Sequence, residues 1–232
     1  MTRKYYLAGI ALIAAVIAAT LAAYPHLPNT VPMHWDAHGH VNGWGPRWTL
    51  LVIDPGGMAA ILLLFSVLPW LSPRHFEVDT FRSTYLYIMV AILAMLAYVH
   101  ALILAASLSW MVDISRAIIG GVSLLVALLG NVLGKVRRNF YVGVRTPWTI
   151  ANEHVWNATH RFAAKTFFAA GLAGLAFAIL GAPFWLPLAA ILTGALAPAA
   201  YSLILQTART PRRIVGVLGN PERKMLSLDV EP

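Results

Sequence analysis

The sequence predicts an all-α polytopic membrane protein, a bundle of about six transmembrane helices with an interfacial cytoplasmic helix before the fifth. Three observations predict this fold class. Of the 232 residues, 59% are hydrophobic and only 11% are charged, less than half of the ~25% that is usual in a soluble domain. The mean hydropathy is +0.70. About six segments are apolar over the roughly 20 residues that a helix needs to cross the bilayer core.

The predicted spans follow one another along the chain, separated by polar segments. They cover residues 5–24, 50–71, 84–106, 115–133, 162–180 and 184–205. The apolar part of the first exceeds the roughly 7–15 residues of a signal-peptide core, so we interpret it as a retained helix. In the second, Asp54 and Pro55 are typical of a helix N-cap and first helical position. The glycines of the fourth favour close packing and indicate that this span lies inside the bundle.

These spans divide the chain into three predicted parts. Residues 1–107 form an amino-terminal membrane region whose loop is 25–48. Residues 108–205 form a second membrane region that contains the long polar segment 135–161. Residues 206–232 are a polar, basic tail, which we expect to be mostly disordered because it has too little apolar surface to bury.

The positions of the Lys and Arg residues predict the orientation. All of them except Arg47 and Arg116 fall in or beside one set of polar segments: the N-terminus, 72–83, 135–161 and the tail. Cytoplasmic loops of membrane proteins are enriched in Lys and Arg. The sequence therefore predicts that both termini and residues 135–161 are cytoplasmic, and that the 25–48 loop is external.

The external loop contains the candidate metal ligands. Pro28 and Pro32 restrict φ and lack an N–H, which favours a rigid, extended connector. Histidines and a carboxylate crowd this loop, and such groups bind divalent cations such as Zn²⁺. The candidate ligands are His34, Asp36, His38 and His40. Their spacing matches no metal motif, so solvated or headgroup-facing histidines are the alternative, and no other cofactor is predicted.

The polar segment 135–161 predicts a second site. Thr146 or Thr149 can cap a helix that leads into the fifth span. Side chains spaced by four would then form one stripe on an amphipathic interfacial helix, namely Trp148, Asn152, Trp156 and His160. The simpler alternative is an anchor whose Lys and Arg side chains lie near anionic headgroups.

The candidate binding residues around this segment are polar or aromatic. They are Asn131, Arg145, Thr146, Pro147, Trp148, Glu153, Trp156, Asn157 and His160. The Arg145 guanidinium stays charged, so we expect it to pair with Glu153 or with the terminal carbonyls of a helix. We expect Arg145, Trp148, Trp156 and His160 to pack into one cytoplasmic site.

No enzyme motif accompanies these residues. The sequence has no HExxH, GxSxG, Walker A or GxGxxG pattern, and it has no cysteine, which excludes disulfides and thiolate metal sites. Intramembrane ionisable groups are functional suspects, and Asp54 and His100 are two of them. The alternative function is a metal-dependent membrane protein or enzyme that uses these two, the outer His/Asp cluster, or the Glu153/His160 pair. A small transporter is a third reading, against which no paired broken helices are found.

Two parts of the chain resemble a known family. The long polar segment resembles the signature of the SdpI-type immunity protein family in Gly130-Asn131, Lys135, Asn139-Phe140, Val142-Gly143-Val144-Arg145-Thr146-Pro147-Trp148-Thr149 and Val155-Trp156-Asn157-Ala158-Thr159-His160-Arg161-Phe162. The external loop resembles the domain of unknown function that commonly precedes it, in Leu27-Pro28, Val31-Pro32-Met33-His34-Trp35 and Gly39. His38, His40 and the tail beyond Gln206 are not part of the pattern.

The resemblance implies a polytopic protein of the bacterial inner membrane that performs no catalysis. The family is named for proteins that protect a producing cell against a secreted sporulation-delaying peptide toxin and hold a soluble repressor at the membrane. By this resemblance the external loop, with His34 and Trp35, would meet an amphipathic peptide toxin. The segment 135–161 would meet a soluble regulator, and no direct contact with nucleic acid is expected. The glycine-rich fourth helix would shift between two arrangements that the two partners bias differently.

Overall fold

Seven α-helices and one β-hairpin make up the part of the chain that the computed structural model describes, which is residues 2–36, 38–73 and 76–209. The helices are α1 (Arg3–Ala23), α2 (Thr49–Val67), α3 (Arg82–Ser107), α4 (Ile114–Leu133), α5 (Pro147–Ala151), α6 (Glu153–Ile179) and α7 (Trp185–Arg209). The strands are β1 (Thr30–Trp35) and β2 (Val41–Pro46). The first residues of the predicted tail continue α7 to Arg209, and its remainder lies outside the described residues.

Six helices of the described chain are long and apolar enough to cross a membrane, and each overlaps one predicted span. The predicted all-α membrane fold is therefore confirmed. The fifth span differs from the prediction because α6 begins at Glu153 rather than near residue 162. Its first turns carry polar and aromatic side chains that face the interior of the bundle, among them Trp156 and His160. Averaged hydropathy is low over such residues, so the sequence placed them in the polar segment before the fifth span.

The backbones of α4 and α6 touch at two glycines. A Cβ on Gly130 would overlap the backbone of Phe168, and a Cβ on Gly171 would overlap the backbone of Ala127. Small residues permit this approach, and dispersion contacts between closely packed helices are a main source of stability in lipid. Because α4 also packs on α3 and α7, it lies inside the bundle, as its glycine content predicted.

One hydrophobic core joins the amino-terminal helices to the carboxyl-terminal ones. Met58 of α2 and Tyr85 and Met89 of α3 belong to it, as do Val136 and Trp156. All five side chains are almost fully buried. The two membrane regions that the sequence distinguishes therefore share packing at one end, whereas their division at residue 107 stays a prediction.

The polar segments gather at two ends of the bundle. The hairpin end holds β1, β2 and residues 108–113 and 180–184, and the signature end holds residues 134–152 and the turn before α3. Across the signature end, the rings of Phe76 and Phe140 pack with their centroids 4.3 Å apart. Because consecutive spans run in opposite directions, successive polar segments lie at alternate ends of the bundle. The two resulting sets of segments are the same two sets that the Lys and Arg positions distinguish.

The predicted external loop, residues 25–48, contains an antiparallel β-hairpin, where the sequence predicted an extended connector alone. Thr30 pairs with Pro46 and Trp35 with Val41, and the register is irregular around His34. The Asp36 carboxylate closes the turn by accepting the N–H groups of His38 and His40, both at 2.9 Å. An Asp whose side chain bonds the backbone N–H two residues later is typical of a turn. The positions of the prolines predicted an extended backbone but could not show that two extended segments pair with each other.

The N-cap assignment of Asp54 was wrong. Helix α2 begins at Thr49, and Pro55 lies inside it. The backbone N–H groups of Leu50 and Leu51 already bond the carbonyls of Arg47 and Trp48, which starts the helix one turn earlier. The Asp54 carboxylate is thereby free to bond another helix.

Candidate functional site

The loop between α4 and α5 is organised around the buried side chain of Asn139. Its Nδ2 donates to the carbonyls of Arg137 at 2.7 Å and Val142 at 3.0 Å. Its Oδ1 accepts the N–H groups of Tyr141 and Val142, both at 2.7 Å. A neutral amide has two donors and one acceptor oxygen, and all are used. The signature loop is therefore held from within, like a turn built on a side chain.

Trp156 and His160 lie one turn apart on α6 and stack inside the bundle. Their ring centroids are 4.0 Å apart and the planes are inclined by 18°. The indole Nε1–H donates to the carbonyl of Val136 at 2.9 Å, which ties α6 to the chain just after α4. Both side chains are almost completely buried, so the pair is a packed centre of the signature end.

The hydrogen bonds of His160 define its tautomer. Its Nδ1 lies 2.9 Å from the carbonyl oxygen of Trp156, which can only accept, so Nδ1 carries the proton. Its Nε2 is then the acceptor, and the N–H of Val144 donates to it at 3.1 Å. Both nitrogens of a neutral imidazole are thus occupied. His160 cannot bind a metal or abstract a proton while this loop is in place.

Gly143 makes the approach of the loop to His160 possible. Its φ of 113° is a conformation that a side chain rarely adopts, and a Cβ there would overlap Nε2 of His160. The loop backbone therefore lies directly against the imidazole at a position where only glycine fits.

Thr146, one of the two caps that the sequence allowed, caps α5 through a capping box with Thr149. The buried Thr149 hydroxyl also bonds the carbonyls of Val144 and Thr146, both at 2.9 Å. Helix α5 then ends after one short turn, because Asn152 caps a new helix by accepting the N–H of His154 at 2.9 Å. The interfacial helix is thus shorter than expected.

This bend at Asn152 corrects the predicted stripe of four side chains. Asn152 has φ −130° and ψ 114°, so the residues before and after it are on different helices. Trp156 and His160 point into the core, whereas the Trp148 indole donates to the Ser202 hydroxyl of α7 at 2.8 Å. The segment therefore joins α4, α6 and α7 rather than lying on the bundle as one amphipathic rod.

The other predicted residues lie nearer the surface. Arg145 is exposed and donates to the carbonyl of Phe140, a loop carbonyl, so its predicted pairing with Glu153 or a helix end was wrong. Asn131 and Pro147 are exposed and Asn157 is half-buried. Glu153 is exposed beside a cleft of about 250 Å³ whose walls include Arg137 and Arg138.

Glu153 and His160 do not form the acid–base pair considered for an enzyme. The carboxylate lies at the exposed start of α6, whereas the imidazole is buried and bonded to two backbone groups. The geometry of this end supports binding and helix positioning. It offers no activated nucleophile among the signature residues that the structure describes.

At the opposite end, a cavity of about 440 Å³ lies between the hairpin and the ends of α3 and α4. Its walls are mostly apolar, with Trp35, Ile103 and Phe184 among them. His34 and Asp36 supply polar groups to the same walls. The cavity is therefore amphipathic, and it contains the two hairpin residues, His34 and Trp35, that the sequence predicted for ligand contact.

The four candidate metal ligands on the hairpin are not gathered into one site. His34 Nδ1 bonds the Asn42 side chain, and the rings of His38 and His40 stack 6.2 Å apart. The Asp36 carboxylate is committed to the turn, where the N–H of His40 holds its pKa below the usual value. Within the described residues no group of three or more His, Asp or Glu side chains is placed to hold a metal ion.

Comparison with known proteins finds similarity in both the amino-terminal and the carboxyl-terminal parts of the chain. Residues 135–202 match the SdpI/YfhL protein family, and residues 11–59 match DUF1648, a domain of unknown function. In residues 135–202 the chain is similar to the SdpI family. It is 27% identical over 169 residues to "Immunity protein SdpI" of Bacillus subtilis (strain 168), which covers 72% of this chain and 78% of that protein. No solved structure matches the chain.

The SdpI region contains the whole buried network of the signature end. Val136, Asn139, Thr149, Trp156 and His160 all lie within residues 135–202. The DUF1648 region contains the hairpin and the four cavity residues that the hairpin supplies, Met33 to Asp36. Asn139, Thr149 and Ser202 were not among the predicted site residues. An Asn in a loop is a local signal, because its side chain commonly bonds nearby backbone groups, but a serine in the last helix gave none.

A third polar cluster lies within the spans and joins three helices. His100 of α3 has Nδ1 2.7 Å from Oδ2 of Asp54 on α2, and Nε2 2.7 Å from Oγ1 of Thr20 on α1. Thr20 and His100 are fully buried. The sequence indicated Asp54 and His100 but missed Thr20. Thr20 could have been found as an isolated hydroxyl residue within a run of aliphatic residues in α1.

Proposed function

We propose that this protein is a membrane immunity protein that protects the cell against a secreted peptide toxin and performs no catalysis. The observation that carries the proposal is the similarity to an immunity protein over 72% of the chain, through both the DUF1648 and SdpI regions. The chemistry of the signature end agrees with it. The side-chain polar atoms of His160 and Asn139 are all hydrogen-bonded to backbone groups, so none is available to take part in a reaction.

The orientation follows from the charges. The signature end carries exposed Lys135 and Arg137, whereas the hairpin end carries Arg47 and Arg116 as its Lys/Arg residues among those described. The positive-inside rule then assigns the signature end to the cytoplasm and the hairpin end to the outside of a bacterial inner membrane. A secreted toxin would reach the hairpin end first.

The hairpin cavity is the proposed toxin site. A membrane-active peptide is amphipathic, and a cavity with apolar walls and polar groups from His34 and Asp36 complements both of its faces. Trp44 and Trp48 are exposed on and beside the hairpin, which suits a position at the membrane interface where such a peptide concentrates. Trp35 supplies aromatic contact area inside the cavity.

The cytoplasmic surface is the proposed site for a soluble regulator. Arg137 lines two clefts there, one beside Lys135 and the other beside Glu77 and Glu153. An acidic regulator would be attracted to the two exposed cations. Helix α4 connects the two surfaces, because Ile114 lines the hairpin cavity and Lys135 follows its other end. A toxin and a regulator that prefer different positions of α4 would be coupled through it.

Protection is tested by expressing the full chain in a toxin-sensitive strain and measuring survival with membrane-active peptides. The wild-type chain should protect, and Trp35→Ala should lose protection at equal membrane abundance. Trp110→Ala is the matched control, since Trp110 is a 65% exposed tryptophan at the same end and is not among the cavity residues. Absence of protection by the wild type against every peptide tested would overturn the immunity proposal.

Recruitment is measured separately. Soluble proteins that sediment with membranes are quantified with and without a membrane-active peptide against which the chain protects. The combined change Lys135→Gln and Arg137→Gln should spare survival and reduce the toxin-dependent fraction several-fold. Arg161→Gln, an exposed cation near the same end, is the control. If recruitment is unchanged in the double variant, the cytoplasmic surface is not the regulator site.

A further inference from the structure

We propose that Thr20, Asp54 and His100 form a proton-binding site within the hairpin-end half of the bundle, and that it holds one proton between Asp54 and His100. The site goes beyond immunity and does not depend on it. Each of the three helices α1, α2 and α3 contributes one residue. All three lie within candidate membrane spans, where ionisable residues are rare and commonly functional.

The hydrogen bonds of Thr20 set the direction of the network. Its hydroxyl has one proton, and Oγ1 lies 2.8 Å from the carbonyl oxygen of Val16, which can only accept. We assign the hydroxyl proton to the bond with the Val16 carbonyl. The hydroxyl oxygen then accepts from the imidazole of His100, whose Nε2 is 2.7 Å away, so Nε2 carries a hydrogen.

This arrangement requires a further proton at the other ring nitrogen. His100 Nδ1 and Asp54 Oδ2 are 2.7 Å apart, a hydrogen-bond distance. With Nε2 already protonated, a neutral imidazole has a lone pair at Nδ1, and a carboxylate is also an acceptor. With the Thr20 hydroxyl bonded to Val16, one proton lies between the two groups. The site is then an imidazolium with a carboxylate, or an imidazole with a carboxylic acid, and both forms have no net charge.

Loss of that proton forces a rearrangement. The remaining ring hydrogen would have to move to Nδ1 to face the Asp54 carboxylate, which leaves Nε2 as an acceptor. The Thr20 hydroxyl would then turn from Val16 towards Nε2. The result is a net negative charge next to a side chain that is 1% exposed, and a Val16 carbonyl without its hydroxyl donor. Both changes weaken the packing of α1 on α3, because an unpaired buried charge or polar group is costly.

The charged groups around the site are engaged elsewhere. Among the described residues, the recorded ion-pair partner of Asp54 is His100. From the loop before α2, Arg47 donates to the Leu27 carbonyl at 2.9 Å and lies over the Tyr24 ring. The groups from the other neighbouring elements are His34, bonded to Asn42, and Arg116 with Asp113, which pair with each other.

Protons have a path to the site from the hairpin end. The Asp54 side chain is 26% exposed, in contrast to the buried imidazole behind it. Asp54 is also near the start of α2, close to the hairpin. On α3 the neighbours of His100 include Val99 and Ile103, which line the hairpin cavity. The protonation state of the site would therefore affect the position of α3, which forms part of the cavity wall.

The test uses the full chain in lipid vesicles with ¹⁵N-labelled histidine. Solid-state NMR follows the His100 nitrogens between about pH 5 and pH 10. His100→Gln assigns the signals. At low pH the site should give an Nε2–H and a proton shared with Asp54, and on alkalinisation the ring hydrogen should move to Nδ1. Over the same range, thermal stability should fall.

Asp54→Asn separates a proton site from a merely structural hydrogen bond. The amide NH₂ donates to Nδ1 without needing an exchangeable proton, so the tautomer shift and the associated pH dependence of stability should disappear while the fold remains. His26→Gln, at an exposed histidine near the same end, should leave both unchanged. A wild-type His100 that keeps one neutral tautomer throughout, or an Asp54→Asn variant with undiminished pH dependence, would overturn the proposal.

Discussion

The backbone N–H of Val144 donates to Nε2 of His160 at 3.1 Å, so a loop residue and a membrane-helix residue complete each other's hydrogen bonding. The same imidazole bonds the Trp156 carbonyl through Nδ1 and stacks on the Trp156 ring. The SdpI signature is thus a structural clamp. It fixes the signature-end termini of α4 and α6 relative to one another.

Gly143→Ala is expected to disrupt this clamp. The methyl group would overlap His160 Nε2, and φ of 113° is unfavourable for alanine. We expect a loss of about 1–3 kcal/mol, the usual cost of strained backbone. Unfolding in lipid vesicles measures it. The matched control is Gly57→Ala on α2, where a Cβ has no neighbour within 4 Å and should be neutral or stabilising. Equal stability of the two variants would contradict the clamp.

Asn139→Asp should open the signature loop at neutral pH. The acid keeps the acceptor that serves Tyr141 and Val142 but replaces the donor group, so an oxygen would face the carbonyls of Arg137 and Val142. Limited proteolysis should then cleave within residues 134–146, several-fold faster than in the wild type. Asn131→Asp adds the same charge at an exposed position and should leave cleavage unchanged. A protected loop in Asn139→Asp would refute the hub role of Asn139.

The Trp148–Ser202 bond should couple α5 to α7. A double-mutant cycle with Trp148→Phe and Ser202→Ala isolates the contact, because each change removes one partner of the 2.8 Å bond. We expect a coupling energy of about 0.5–1.5 kcal/mol, the range for one net hydrogen bond. The measurement is unfolding of the four proteins in the same lipid. Strict additivity would mean that the bond contributes nothing to stability.

The membrane orientation is tested with reporter fusions. A reporter placed after Trp44 should be active outside, and one placed after Gln206 should be active in the cytoplasm, because the Lys/Arg asymmetry orients the chain. Moving the first reporter to Ser109, in the other hairpin-end connection, should reproduce the external signal. Fusions at Trp44 and Gln206 that report the same side would disprove the six-span topology.

The sequence by itself determined the spans, the segregation of charge and a helix start at Thr146 or Thr149. These are local properties. Hydropathy over about 20 residues measures the fit of one helix to the bilayer core, and a threonine followed by Pro147 caps its own helix without help from distant residues. The family resemblance also rests on contiguous residues, and residues 135–202 matched as it predicted.

Tertiary structure alone decided which polar groups meet. The partners of His100 are 80 and 46 residues away along the chain, and Ser202 is 54 residues from Trp148. The sequence marked Asp54 as a cap and gathered the hairpin histidines into a metal site because it could judge them by their neighbours in the chain. In the fold, His100 and Trp148 bond side chains that other helices hold at the same depth, where little water is present to take that place.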